Sequence, residues 1–291
     1  MVGIVTIAMI NIYSQLKKYI PKTIKKFIRY SFPFFNNSVP YKFREPSFKG
    51  FNVSDFFLFR CDKYETIFVA ENNLALVLAE PIVCLHKFYF FNKFGNRCGF
   101  FEVSDDSFHY NLNINKKIVG GEELGSFIHQ TDYLNSDLKK LISLQSKPII
   151  FQHRGYTGFR RSADESPIFS FVHGNFGAMY IDNKNKVHSL STQRKKHFYT
   201  PQIIIKPGNS YDFFFNNPGV NKLSIKIILF NKANKLFIDE SLVINPLSSY
   251  RFNLSDFSRE EDLNISWETH LPIGRAIVFE YQGSSFDVYH S

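Results

Sequence analysis

The chain has 291 residues, 44% of them hydrophobic, enough for one large or two ordinary domains with sizeable cores. Its net charge is +9, yet Lys17, Lys18, Lys22, Lys25, Lys26, Arg29, Lys42 and Arg44 supply eight of those charges with no acidic residue among them, leaving +1 for the rest. A near-neutral body argues against nucleic-acid binding through a broad basic surface. Cys61, Cys84 and Cys98, odd in number and without C-x-x-C spacing, argue against a disulfide framework or structural zinc and fit a reducing, cytoplasmic compartment.

The N-terminal MVGIVTIAMI is apolar but about half the ~20 residues a membrane-spanning helix needs, and it lacks the charged start and cleavage site of a signal peptide. From Ile10 to Ile20 the apolar residues Ile12, Tyr13, Leu16, Tyr19 and Ile20 fall at helical spacing until Pro21. A second short helix is expected over Lys22 to Tyr30. Lys17, Lys18, Lys22, Lys25, Lys26 and Arg29 then form a basic face, suited either to the inner, anionic leaflet of a membrane or to solvent. Ser31 to Lys49, with Pro33, Pro40 and Pro46, reads as a linker, so residues 1–49 are expected to stand apart from the body.

Beyond residue 50 the aromatics, 17% of the chain with 34 Phe, gather with Ile and Val in short runs that favour strands. Several runs come in pairs. ETIFVAENN (Glu65 to Asn73) matches SYDFFFNN (Ser210 to Asn217), and FFNKFGNR (Phe90 to Arg97) matches LFNKANK (Leu229 to Lys235). YNLN (Tyr110 to Asn113) matches FNLS (Phe252 to Ser255), and LGSFIH (Leu124 to His129) matches IGRAIV (Ile273 to Val278), all in the same order. A tandem duplication is the economical reading. The expected fold is all-β: two antiparallel β-sandwich copies over residues 50–146 and 196–291, joined by a junction over 147–195.

The NNPG turn (Asn216 to Gly219), the turn near Ala233 and the PLSS segment (Pro246 to Ser249) resemble the immunoglobulin-like or fibronectin-like modules of bacterial proteins. That resemblance implies a sandwich and no activity. The layout of basic start, NVSDFFLFR (Asn52 to Arg60), RGYTGFR (Arg154 to Arg160) and VHGN (Val172 to Asn175) resembles uncharacterised bacterial proteins associated with surface-polysaccharide biosynthesis, which implies a glycan-related setting.

The junction carries the candidate ligand-binding residues His153, Arg154, Tyr156, Arg160, His173 and Asn175, interleaved with glycines that bend a strand and present polar groups. Arginine forks and tyrosine faces suit a glycan or a small anionic ligand. The competing reading pairs Arg154 and Arg160 with Asp164 and Glu165 as a purely structural junction. His129, His153, His173, His188 and His197 lack ligand spacing, so no metal is expected. No G-x-S-x-G elbow, P-loop or dinucleotide fingerprint occurs, so neither a cofactor nor catalysis is expected. Trp267 is expected in the core. A non-catalytic binding or scaffold module is the leading reading, with a glycan-modifying enzyme and a structural interaction protein as alternatives.

Overall fold

The computed structural model describes residues 41–43, 51–144, 150–162, 168–182, 184–189, 191–193, 196–254, 261–271 and 274–291. The chain divides into two compact units, residues 1–42 and 43–291. The basic segment expected to be helical lies outside the described residues, as does most of the expected linker, within which Tyr41–Phe43 form strand β1. Among the described residues no helix is long and apolar enough to cross a membrane.

The larger unit is all-β, built as two antiparallel sandwiches with two short helices, α1 (Asn73–Leu78) and α2 (Asn135–Leu144). In the first sandwich one sheet runs in the order β2 (Phe51–Arg60), β7 (Leu124–Tyr133), β4 (Cys84–Asn92), β5 (Arg97–Asp105). The facing sheet runs β10 (Ser170–His173), β9 (Tyr156–Arg161), β3 (Tyr64–Glu71), β6 (His109–Ile114). In the second sandwich β14 (His197–Tyr199) and β15 (Ile204–Ile205) both pair with β20 (Leu263–Thr269), followed by β17 (Leu223–Asn231) and β18 (Leu236–Ile244). Its facing sheet runs β22 (Ser285–His290), β21 (Ile277–Gln282), β16 (Ser210–Asn216), β19 (Ser249–Asn253). Counting along the chain over the strands just named, with β8 (Ile150–His153) left out and β14 and β15 sharing first place, the two orders are identical. The first strand neighbours the sixth, then the third and fourth; the eighth neighbours the seventh, then the second and fifth.

The matching extends to turn chemistry. Asn92 closes β4, and its Oδ1 accepts from the Phe94 and Asn96 amides while Gly95 takes φ +89°. Asn231 closes β17, and its Oδ1 accepts from the Ala233 and Lys235 amides while Asn234 takes φ +59°. Each side-chain amide then donates to a glutamate just ahead of the sixth strand, Asn92 to Glu122 and Asn231 to Glu261. Asn72 and Asn217 play one part as well. Both are buried after the second strand, and each amide donates to carbonyls leading from the fourth strand toward the fifth, Ser107 for one and Asn245 for the other.

Two expectations change. LGSFIH lies in β7, whose equivalent is β20, whereas the IGRAIV segment leads into β21. Residues 150–181 do not stand apart as a junction. They form β8 (Ile150–His153), parallel to β2, then β9 and β10 beside β3, then β11 (Asn175–Ile181), antiparallel to β2 and paired with β12 (Val187–Ser189). The seventh and eighth strands of the first copy are therefore inside that stretch, and the first copy reaches His173 instead of ending at 146. The short α2 insertion ahead of them makes them resemble a linker in sequence.

The β16 run Tyr211-Asp-Phe-Phe-Phe lacks alternation because both of its faces are covered. Tyr211, Phe213 and Phe215 enter the second sandwich's core with Trp267, while Phe214 turns outward to Ile277, Phe279 and Val288. These meet Leu58, Tyr64, Phe159 and Val172 of the first sandwich. Burying such side chains contributes roughly 1.5–3 kcal/mol each, so the seam holds as a core does. At its rim Arg60, 1% exposed, bonds Asp62 at 2.7 Å and Tyr281 at 3.0 Å and lies 4.0 Å over the Tyr64 ring. Asp212 accepts from Arg251, Asn253 and Tyr281, so the buried charges are matched.

Candidate binding face

Side chains on a strand alternate between its two faces, and β3 follows that rule from Tyr64 to Glu71. Thr66, Phe68 and Ala70 point inward and are buried; Glu65, Ile67, Val69 and Glu71 lie on the outer face and are half-buried. Register then fixes their neighbours. Asn111 of β6, Val69, Tyr156 of β9 and His173 of β10 form one cross-strand row, and Asn113, Ile67, Gly158 and Phe171 form the next. A third begins with Glu65 opposite Arg160, whose guanidinium lies 4.9 Å over the Phe169 ring.

This outer face carries aromatic groups in the open. Tyr156 is 40% exposed and Phe171 48% exposed. The Tyr156 and His173 rings lie 4.1 Å apart, and His173 Nδ1 sits 3.3 Å from the Gly155 carbonyl. A β-carbon on Gly158 would come within 2.6 Å of the Phe171 ring and 2.9 Å of Ile67, so the glycine is what lets that ring lie down across β9. Along β6 the face becomes polar, with His109, Asn111 and Asn113 exposed.

Of the six residues singled out by sequence, Tyr156, Arg160 and His173 share this face, and Arg154 stands at its end with an exposed side chain 3.6 Å from Asp55. The other two belong to the interior. His153 is buried, with Nδ1 3.0 Å from Asn73 Nδ2 and Nε2 3.1 Å from Thr131 Oγ1. Asn175 is buried at the seam, where it donates to the Arg275 carbonyl at 2.9 Å and accepts from Asn216 at 2.6 Å. Sequence reading missed Phe169 and Phe171, which an apolar strand pattern assigns to the core, and Asn111 and Asn113, brought alongside only by pairing with β3.

Each of the two arginines faces a carboxylate. Arg160 forms an ion pair with Glu65, and Asp55 lies against Arg154. Asp164 and Glu165, the alternative partners, lie outside the described residues.

A second polar cluster lies inside the first sandwich. Cys84 Sγ is 3.1 Å from His86 Nε2, His86 Nδ1 is 2.8 Å from His129 Nε2, and the His129 and His153 rings meet edge to face at 4.7 Å. Burial holds these imidazoles neutral, His86 down at about 4 and His153 at about 3, with neighbouring histidines depressing His129 further. Burial also pushes the Cys84 thiol up to about 12, which makes it a poor nucleophile. The two nitrogens of His86 are occupied in opposite directions. Among the described residues no three His, Cys, Asp or Glu side chains converge as a metal-binding set.

No protein-family model matches the chain, and no curated protein matches it. Among solved structures it is similar to one titled "Structure of infectious bursal disease virus Gt strain", at 10% identity and a TM-score of 0.15. The match covers 82% of this chain and 57% of that one, and at such a score it carries no argument.

Proposed function

We propose that this protein is a non-catalytic binding module that takes a neutral saccharide on the outer face of the β10-β9-β3-β6 sheet. The observation that carries the reading is the pair of exposed rings, Tyr156 and Phe171, lying in adjacent cross-strand rows. Aromatic rings offer a flat apolar surface to the C–H face of a sugar, and the neighbouring amides and guanidinium offer hydrogen bonds to its hydroxyls. Because Arg160 and Arg154 each face a carboxylate, the site suits a neutral sugar better than an anionic one, which narrows the ligand expected from sequence. A glycan ligand also agrees with the surface-polysaccharide setting that the sequence resemblance implies. The free thiols Cys61, Cys84 and Cys98 support a cytoplasmic location, and Lys17, Lys18, Lys22, Lys25, Lys26 and Arg29 supply charge for peripheral contact with an anionic inner leaflet.

Affinity gel electrophoresis in neutral glucans, mannans, galactans and xylans tests the reading. Retardation of the wild-type chain by at least one polymer, reduced about tenfold or more by Phe171→Ala or Tyr156→Ala without loss of thermal stability, is the expected result. Mobility unchanged by both substitutions, or retention only by anionic polymers, would sink it.

A further inference from the structure

Resting on that reading, we infer that the ligand is a linear oligosaccharide that crosses the strands from β10 to β6, not a single sugar held at the aromatic end. The two aligned rows start at the rings of His173 and Phe171 and finish at the exposed amides of Asn111 and Asn113. Three strand spacings separate β10 from β6, a span of ~14 Å. One pyranose ring resting on Phe171 cannot reach Asn113 over that distance.

Between the two ends lie Ile67 and Val69, half-buried apolar side chains without donors or acceptors. They form a floor over which the apolar side of successive sugars can pass. The hydroxyls of a ring beyond that floor meet the Asn111 and Asn113 amides, each able both to donate and to accept. The division of labour along the row, rings at one end and amides at the other, is what a chain of several units uses and a single unit cannot. Glu65 and Arg160 edge the same face and satisfy each other's charge, so this edge suits a neutral chain.

Isothermal titration of the full chain with linear gluco-, manno-, galacto- and xylo-oligosaccharides, from monosaccharide to hexasaccharide, tests the inference. For the series that binds, affinity is expected to rise roughly tenfold or more between disaccharide and tetrasaccharide and to level off beyond it. Asn111→Ala with Asn113→Ala, both at exposed positions, should reduce tetrasaccharide affinity roughly five- to tenfold and leave the disaccharide unchanged. Phe171→Ala should weaken every length. If affinity is independent of length, or if the asparagine double variant binds the tetrasaccharide as wild type does, the crossing chain is refuted while the aromatic site stands. If Phe171→Ala leaves every length unaffected, the saccharide reading itself falls, and the face is then to be assayed for a protein partner.

Discussion

Three buried histidines and the half-buried His290 make acid the natural weakness of this molecule. His86, His129, His153 and His290 are all held below the ordinary imidazole range by burial, His86 and His290 at about 4 and His153 at about 3. Once unfolded, each titrates near 6.5. Below that pH the unfolded chain binds protons that the folded chain refuses, so stability falls with falling pH, by up to about 1.4 kcal/mol per pH unit per histidine, until the folded-state values are reached. Melting temperature should therefore drop steadily from about pH 6.5 toward about pH 4, and His153→Gln should flatten the slope. A melting temperature level between about pH 7 and about pH 5 would contradict this. The same residues show the limits of sequence reading. His153 and His173 look alike on paper, each beside a glycine-containing turn, yet β8 carries one into the interior while β10 leaves the other at the surface. Tyr156, Arg160 and His173 share one outer sheet face, but which strand runs beside β9 is a long-range fact that spacing cannot encode.

Glycines and asparagines decide how the strands end. Gly155, between β8 and β9, has φ +36°, and a β-carbon there would drive into the ring of buried Phe68. Gly155→Ala is expected to cost about 2–3 kcal/mol in urea denaturation. Gly158→Ala meets the exposed Phe171 ring and half-buried Ile67, both on the outer face, so it should weaken saccharide binding more than it weakens folding. The twin hairpins offer an internal control. Asn92→Ala and Asn231→Ala each remove two turn hydrogen bonds together with the side-chain bonding to a glutamate, and each should destabilise by about 1–2 kcal/mol. Their effects should add in the double variant, since the two turns lie in different sandwiches. These hairpins were legible in the sequence because an Asn followed by a left-handed residue is local information. The boundary of the first copy was not, because β9 and β10 are short, glycine-broken and separated from β7 by a helix.

At the scale of the whole molecule the two sandwiches use equivalent sheets in opposite ways. In the second, the outer face of the β22-β21-β16-β19 sheet is sealed by Phe214, Ile277 and Phe279 against the first sandwich. In the first, the outer face of the equivalent sheet is open and carries the proposed site. The shared seam predicts one calorimetric unfolding transition for residues 43–291. Phe279→Ala, which empties the centre of that seam, should lower stability by about 3–5 kcal/mol and broaden or split the transition. A wild-type chain that melts in two well-separated steps would show the sandwiches to be energetically independent.

Synthesis from the N-terminus gives that seam a temporal meaning. Leu58, Tyr64, Phe159 and Val172 are already made when the ribosome reaches residue 196, but Phe214, Ile277, Phe279 and Val288 are not. At ~5–20 residues per second the leading half waits about 5–20 s with a greasy flank uncovered. A nascent chain stalled in that window is the form in which this protein is most exposed to aggregation and in greatest need of a chaperone.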